Sequence, residues 1–290
     1  MRLKILLASL LLCCVSPLMA KVQIIAAENT YGSIAKALGG SEVQVTSIMN
    51  NPNEDPHAFT VSPEIHTLLS KLGPHDIFIM NGAGYDSWAI PLVSNTHAYI
   101  INNAELNQVL PGKNPHLWYD LAKVTKFAKL LTAQLIMAEP TKQAFFTENL
   151  HRFLQQAKKI QQSIEALHKQ YLHYPVIATE PVADYLTRDL GLDMHAQSFQ
   201  QHIMNDTPPS AQERIDFVNQ INQHKVMILI YNRQVINPVT KKIFLTAVAA
   251  HVPVVGVGEL LSSDTEDFLG AYEKTVDQIR QALRQDNARA

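Results

Sequence analysis

The feature that most constrains the fold of this 290-residue chain is an alternation of short apolar runs with helical patterns, interrupted once. Short, continuously apolar runs are typical of strands buried on both faces of a parallel sheet. Helical patterns between such runs predict successive strand–helix units. From Leu121 to Tyr171 no strand pattern occurs. The sequence therefore predicts two α/β regions separated by a helical stretch.

Each region is predicted to contain four strands. The first four are Val22–Ala27, Val43–Met49, Asp76–Met80 and Ala98–Ile101, and the last four are Val176–Thr179, Asp193–Phe199, Val226–Tyr231 and Val254–Val257. The helices predicted between and after them are Tyr31–Leu38, Pro63–Leu72, Asp86–Val93, Val182–Leu190, Ala211–Asn222, Val239–Ala250 and Thr265–Leu283.

Pro140 divides the interruption into two predicted helices, Leu121–Ala138 and Thr141–Tyr171. The second helix carries one apolar stripe at spacings of three and four residues. Its residues are Phe146, Leu150, Phe153, Ala157, Ile160, Ile164, Leu167 and Tyr171. A helix of about 30 residues spans roughly 45 Å, enough to join two lobes. We predict an α/β fold of two lobes, residues 21–138 and 174–290, each with a short parallel sheet flanked by helices, joined by one long helix in residues 139–173. In the alternative interpretation, the apolar stripe forms the interface of a coiled-coil dimer.

The first 20 residues have the pattern of a secretory signal peptide. Arg2 and Lys4 precede an apolar run, Ile5–Val15, that is too short to span a membrane, and Ala20 offers a small residue for cleavage. Lipid anchoring at Cys13 or Cys14 is the alternative. Both cysteines lie in this segment, so the cleaved chain would have neither a disulfide nor a thiolate ligand. We expect a periplasmic protein.

The charge balance bears on possible partners. The chain has 24 Lys+Arg against 26 Asp+Glu, and 47% of its residues are hydrophobic, which is a globular composition. A nucleic-acid surface needs clustered Lys and Arg. We therefore expect no nucleic-acid partner.

Polar residues that follow predicted strands mark a candidate site, because ligands of open α/β sheets bind beyond the carboxyl ends of the strands. His57, His116, Glu180 and Glu259 stand in such positions, two in each half of the chain. Imidazole nitrogen and carboxylate oxygen are ligands for Zn²⁺ and Mn²⁺. The other histidines are interpreted as ordinary solvated or hydrogen-bonded side chains: His66, His75, His97, His151, His168, His173, His195, His202, His224 and His251.

Five segments carry a family resemblance over essentially the whole cleaved chain. They are Asp55-Pro56-His57 with Ser62-Pro63, the loop Asn81-Gly82-Ala83-Gly84-Tyr85-Asp86-Ser87-Trp88, Asn114-Pro115-His116-Leu117-Trp118, Thr179-Glu180-Pro181, and Val257-Gly258-Glu259. Their order and wording resemble the periplasmic metal-binding proteins of ABC-type zinc and manganese importers.

The resemblance implies a solute-binding protein, not an enzyme. It would capture one divalent metal ion, with Zn²⁺ favoured and Mn²⁺ possible, and deliver it to an ABC-type permease. The implied ligands are His57, His116, Glu180 and Glu259, and we expect a monomer. Asp55, Asn114, Trp118 and Asn232 are candidates for shaping the site.

The sequence departs from the family in three places. Glu259 stands where the family usually has Asp, and Asn114 stands where it usually has Asp. Many zinc-carrying relatives have a long histidine-rich loop before the second ligand motif, but no histidine occurs between Asn102 and Pro115. A metal-scavenging role of that loop therefore does not carry over.

Two other functions fit the sequence less well. An exported metallohydrolase needs an open metal position and a general base, and the sequence lacks His-Glu-x-x-His and Gly-x-Ser-x-Gly. Binding of chelated iron or a corrinoid by the same fold would leave the two Pro-His motifs without a role. Because a long linking helix bends little, we expect the lobes to close only slightly around the cargo.

Overall fold

A computed structural model describes residues 21–53 and 56–287, with the backbone alone for His57, Asp286 and Asn287. The predicted signal peptide, with Cys13 and Cys14, lies outside the described residues, as does Asp55. In the described part of the chain, no helix is both long and apolar enough to cross a membrane.

Two parallel sheets of four strands form the framework. The first has the order β2-β1-β3-β4 and the second the order β6-β5-β7-β8, so both sheets have the same topology. The strands are β1 (Val22–Glu28), β2 (Val43–Met49), β3 (Ile77–Met80), β4 (Tyr99–Asn102), β5 (Pro175–Ala178), β6 (Asp193–His195), β7 (Ile228–Asn232) and β8 (Val254–Val257).

Helices flank both sheets. They are α1 (Asn29–Gly39), α2 (Pro63–Leu69), α3 (Ile90–Val93), α4 (Asn103–Leu106), α5 (Leu121–Ala138), α6 (Gln143–Tyr171), α7 (Asp184–Asp189), α8 (Gln197–Met204), α9 (Ala211–Asn222), α10 (Pro238–Ala249) and α11 (Phe268–Asn287). The predicted fold class, two α/β lobes with a long helix between them, is confirmed. The residue boundaries proposed for the lobes stay predictions.

The predicted stripe explains how α6 joins the two halves. This helix has 29 residues and buries Phe146, Asn149, Phe153, Ala157, Ile160, Ile164, Leu167 and Tyr171 along one side. It packs against α1 and α5 of the first half and against α7 and α11 of the second. Leu150, which the pattern placed in the stripe, is only partly buried.

One hydrophobic core runs through both halves. Alternate residues of the central strands, such as Ile24 in β1 and Val176 in β5, pack into it together with the buried side of α6. The intervening residues face separate cores on the outer sides: Ile25 belongs to one and Ile177 to the other. Because side chains alternate between the faces of a strand, each sheet contributes one face to the shared core.

One predicted strand is wrong in its second half. The strand expected over Asp193–Phe199 ends at His195, and Phe199 lies buried in α8. Ala196 between them has a left-handed backbone with φ of 54°, which ends the extended conformation. The short helix α4 was also not predicted, because four residues are too few to show a helical period.

Candidate metal centre

Three of the four predicted ligands meet where the two halves face each other. His116 precedes a 3₁₀ turn, Leu117–Tyr119, whereas Glu180 and Glu259 follow β5 and β8. His116 is fully buried, and each carboxylate residue is 1% exposed. One donor atom from each residue lies within 4.8 Å of the others. Among the residues that the structure describes, this is the only such group of three or more His, Cys, Asp or Glu residues.

The hydrogen bonds of Asn114 determine which nitrogen of His116 faces the site. Asn114 Nδ2 donates to the Pro181 carbonyl at 2.6 Å, so its Oδ1 is turned toward His116. That oxygen accepts from the His116 backbone N–H at 3.0 Å and lies 2.7 Å from the ring Nδ1. Because an amide oxygen only accepts, Nδ1 carries the proton and Nε2 keeps its lone pair. The ring is thereby oriented for ligation through Nε2.

The two carboxylates are held by a shared donor. Asn232 Nδ2 donates to Glu180 Oε2 and to Glu259 Oε1, both at 2.7 Å. The Tyr85 hydroxyl donates to Glu259 Oε2, also at 2.7 Å. These bonds fix the orientation of two like charges that would otherwise repel each other.

Aromatic rings cover the histidine side of the site. Trp118 meets the His116 ring edge-to-face, with ring centroids 5.4 Å apart, and it also packs edge-to-face on Tyr85. Trp118 is 3% exposed. Since these rings limit the access of water, electrostatic interactions within the site are strengthened.

The geometry suits a cation. His116 Nε2 is buried with no hydrogen-bond partner among the described residues, and it lies 3.6 Å from Glu259 Oε2. One neutral imidazole nitrogen and two carboxylates are the donor types that Zn²⁺ and Mn²⁺ accept. A divalent ion would balance the charge of the two carboxylates, whose burial otherwise carries a large desolvation cost.

The fourth predicted ligand is not tested by this geometry. The backbone of His57 lies in a 3₁₀ turn, Pro56–Ala58, but its side chain lies outside the described residues. The structure therefore brings together His116, Glu180 and Glu259. That these three residues and His57 bind a metal stays a prediction.

The structure also gives contacts for the residues proposed to shape the site. Asn114 and Trp118 contact His116, and Asn232 contacts both carboxylates. The sequence analysis did not predict the contacts of Tyr85 and Gln234. Tyr85 donates to the Glu259 carboxylate, and the Gln234 side-chain oxygen accepts from the backbone N–H groups of Glu259 and Leu260. Tyr85 lies in a loop after β3 and Gln234 in a loop after β7. Their positions after predicted strands are the sequence feature that could have identified them as site residues.

Other buried acids surround the centre without joining it. Burial, together with the neighbouring Asp86, raises the pKa of the Glu28 carboxyl well above its usual range, and burial also raises the pKa of Asp86. Burial raises the pKa of Asp184 to about 6.

Several of the remaining histidines have ordinary partners. The Nδ1 atoms of His168, His195 and His202 lie within hydrogen-bond distance of the Asp189 carbonyl, the Gln220 side chain and the Thr207 hydroxyl. These contacts agree with the interpretation of these three as hydrogen-bonded side chains.

Comparison with known proteins places this fold and site in a family. The sequence profile described as "ZnuA: Zinc-uptake complex component A periplasmic" matches residues 24–282. The chain belongs to the ZnuA family. The predicted family resemblance is therefore confirmed.

Curated relatives of this ZnuA-family protein carry the names of two metals. The manganese-binding lipoprotein MntA of Halalkalibacterium halodurans is 22% identical over 282 residues, covering 91% of this chain and 89% of the relative. The high-affinity zinc uptake system protein ZnuA of Bacillus subtilis is 18% identical over 254 residues, covering 79% of this chain and 77% of the relative.

Solved structures share the fold of this ZnuA-family protein. The periplasmic zinc-binding protein TroA of Treponema pallidum matches with a TM-score of 0.72 and 18% identity, over 91% of this chain and 99% of the other. The solute-binding protein FpvC of Pseudomonas aeruginosa in complex with Mn²⁺ has the same TM-score with 16% identity, over 92% and 99%.

Proposed function

We propose that the protein captures one divalent transition-metal ion outside the cytoplasmic membrane and delivers it to an ABC-type permease. The observation that carries the proposal is the convergence of three buried donors, His116, Glu180 and Glu259, from both halves of the chain within 4.8 Å. Membership of the ZnuA family supports it. Relatives named for manganese and zinc favour metal capture over binding of chelated iron or a corrinoid.

The proposed ligands are His116 Nε2, one oxygen each of Glu180 and Glu259, and the side chain of His57. Two nitrogen and two carboxylate ligands are compatible with both metals. Zn²⁺ is favoured as the cargo, because intrinsic affinity rises from Mn²⁺ to Zn²⁺ for a given set of donors. Mn²⁺ remains the alternative cargo.

We infer that the protein binds its metal without catalysing a reaction on it. A catalytic zinc ion keeps one position open for water, whereas four protein ligands would complete a tetrahedral shell. The proposed setting is the periplasm, after cleavage of residues 1–20, with a permease as partner of a monomeric protein. Relatives named as lipoproteins support an extracytoplasmic location.

Release of the metal is proposed to require loosening of individual ligands. Because one hydrophobic core and α6 connect the two halves, a wide hinge motion would expose a large apolar surface. A small local movement at Glu180 or Glu259 would remove a ligand without that cost.

Thermal unfolding of chelator-stripped protein tests the proposal, using Zn²⁺ or Mn²⁺ alone as probe. A ligand that binds only the folded state stabilises it by roughly 4 kcal/mol at a thousandfold excess over its dissociation constant. We expect a clear rise in melting temperature at pH 7 that shrinks toward pH 5, because ligation displaces protons from histidine and carboxylate.

Two double variants make the test specific. We expect His57→Ala/His116→Ala to lose most of the rise, and the matched pair His66→Ala/His97→Ala, which alters two exposed histidines, to keep it. Elemental analysis of protein isolated from its own periplasm identifies the cargo. An equal rise in both double variants would assign the binding to surface histidines and contradict the proposed site.

A further inference from the structure

Glu259 belongs by sequence to the second half of the chain, but the first half holds much of its backbone. The segment between β8 and α11, Gly258–Asp267, has no regular secondary structure; we call it the Glu259 loop. Such a segment has no ladder of backbone hydrogen bonds to fix it, so its position depends on bonds from side chains.

Gln234 of the second half accepts from the N–H groups of Glu259 and Leu260, and the beginning of α1 supplies further bonds from the first half. The Thr30 hydroxyl donates to the carbonyl of Glu259 itself at 3.0 Å. The Asn29 amide makes two bonds with one residue: its Nδ2 donates to the Leu261 carbonyl at 3.0 Å, and its Oδ1 accepts from the Leu261 N–H at 2.9 Å. Asn29 is 1% exposed and Thr30 is 2% exposed. A buried bond of this kind is costly to break, because its groups are shielded from water.

The same side of α1 continues the contact one and two turns later. The Ser33 hydroxyl donates to the Glu266 carbonyl at 2.8 Å and accepts from the Phe268 N–H at 3.0 Å. Lys36 Nζ donates to the Asp264 carbonyl at 2.8 Å. Residues spaced by four and three along a helix lie on one face, so a single face of α1 binds most of the loop.

The other side of α1 makes this support rigid. Tyr31, Ile34 and Leu38 are at most 1% exposed and pack in the shared core. A second contact from the first half, the Tyr119 hydroxyl on the Gly258 carbonyl at 2.8 Å, holds the start of the loop. The Glu259 loop is therefore attached to a packed element of the opposite half.

We propose that Asn29, Thr30 and Ser33 are positioning residues that keep the Glu259 carboxylate in place for the metal. The proposal deepens the proposed function and rests on it. Thr30 acts most directly, because its partner is the carbonyl of the ligand residue. If the loop is not held, part of the binding free energy is spent on ordering it, and affinity falls.

The test measures Zn²⁺ affinity by competition with a chelating indicator, and Zn²⁺ dissociation by chelator trapping. Thr30→Val removes the hydroxyl and keeps the shape of the side chain. We expect affinity to fall about tenfold and dissociation to accelerate, since the loss of one buried hydrogen bond corresponds to roughly that factor. Thr30→Ser keeps the donor and should remain within about twofold of the unaltered protein.

Thr132→Val is the matched control. Thr132 is also 2% exposed, and its hydroxyl donates to the Ala128 carbonyl within α5. This variant loses a buried hydroxyl and should keep the Zn²⁺ affinity of the unaltered protein. Equal affinities of Thr30→Val and Thr132→Val would overturn the proposal.

A double variant separates positioning from a general loss of stability. In a Glu259→Gln background, Thr30→Val should no longer change Zn²⁺ affinity, because the group it positions has already lost its charge. An undiminished tenfold effect there would overturn the proposal. If Thr30→Val does not fold, Ser33→Ala replaces it, with an expected decrease of about threefold that also disappears in the Glu259→Gln background.

The outcomes also distinguish this proposal from the function it rests on. If the unaltered protein binds Zn²⁺ and His116→Ala abolishes binding, the proposed function stands whatever Thr30→Val does. If neither Zn²⁺ nor Mn²⁺ binds the unaltered protein at the proposed site, both proposals are wrong.

Discussion

The two halves of the molecule have the same strand order but use the ends of equivalent strands differently. In the first half, β1 ends with Glu28, and Asn81 directly follows β3. In the second half, Glu180 follows β5, the counterpart of β1, and Asn232 ends β7, the counterpart of β3. Each half thus has a buried Glu and a buried Asn at the ends of corresponding strands.

In the first half these groups support a loop. Glu28 lies beside Asp86, which accepts from the backbone N–H groups of Asn81 and Gly82. The Asn81 side chain accepts from the Tyr31 hydroxyl and donates to the Pro115 carbonyl, next to His116. The acid pair and Asn81 therefore hold the loops that bring a histidine to the site.

In the second half the corresponding groups reach the site themselves. Asn232 bonds Glu180 and Glu259, and both carboxylates face His116. The comparison teaches that sheet topology alone does not decide whether a carboxylate at a strand end reaches the site. The loops that pack over a strand end decide whether its acid is enclosed with another acid or faces the opposite half.

The largest expected effect tests whether the halves are energetically one unit. Ile160 is 1% exposed in the middle of α6, within the core shared by both halves. We expect Ile160→Ala to lower the free energy of unfolding by about 4 kcal/mol, because it leaves a cavity in that core. Urea unfolding followed by two probes, one in each half, should still give one transition.

The matched surface variant is Gln162→Ala on the exposed side of α6, which should change stability by less than about 0.5 kcal/mol. Two separate transitions in Ile160→Ala would show that the halves are independent domains.

The second prediction concerns the proposed metal ligands that each half supplies. We expect His116→Ala to lower Zn²⁺ affinity by about a hundredfold or more. Mutation of a residue that only orients a metal ligand already lowers metal affinity by roughly 10–100-fold. Glu180→Gln should weaken Mn²⁺ more than Zn²⁺, because carboxylate is the harder donor. Titration calorimetry with both metals checks these changes.

His97→Ala, which alters an exposed histidine of the first half, is the control and should leave both affinities unchanged. An unchanged ratio of the two affinities in Glu180→Gln would contradict the assigned role of that carboxylate.

The third prediction compares the two asparagines. Asn232→Ala should destabilise the metal-free protein by about 2 kcal/mol, because two buried carboxylates lose their shared donor. Saturating Zn²⁺ should reduce this loss, since the cation replaces the amide as the partner of both carboxylates. Melting temperatures with and without Zn²⁺ measure the difference.

Asn81→Ala serves as the comparison, because the side-chain bonds of Asn81 support a loop and involve no carboxylate. The difference in melting temperature between Asn81→Ala and the unaltered protein should be the same with and without Zn²⁺. The same recovery in both variants would refute the distinction between the two asparagines.

The smallest expected effect is a pH dependence at the contact between the halves. Burial raises the pKa of Asp184 from its ordinary value of 3.8 to about 6, so the folded protein favours the protonated carboxyl. The resulting stabilisation is fully present below pH 3.8 and is lost as the pH rises through 6. Asp184→Asn cannot ionise. Relative to the unaltered protein, the metal-free variant should therefore gain about 1 kcal/mol between pH 5 and pH 8.

Urea unfolding at the two pH values measures this gain. The control is Asp206→Asn, which alters a residue in an exposed turn. This variant should show no comparable gain in stability between the two pH values. A gain that is equal at pH 5 and pH 8 would argue against a raised pKa for Asp184.

Much of the fold followed from residue patterns, and its exceptions were local. Helix Ala211–Asn222 and strand Val254–Val257 were predicted with the observed bounds, because clear apolar periods and end signals coincide there. The strand expected to reach Phe199 ends before Ala196, which has a left-handed backbone that alanine rarely adopts. The grouping of His116, Glu180 and Glu259 was anticipated from their positions after strands and from the family resemblance.

By itself, the sequence determined the alternation of strands and helices, the buried stripe of α6 and the residues available as metal donors, because period and residue type are local properties of the chain. Only the tertiary structure decided that Asn114 orients His116, that Asn232 bridges two carboxylates, and that α1 holds the Glu259 loop. These contacts join residues far apart in the chain, such as Thr30 and Glu259, and depend on how two sheets pack around one core. A local sequence pattern does not show which distant side chain will pair with a given backbone N–H or C=O group, so these partners are determined only by the tertiary structure.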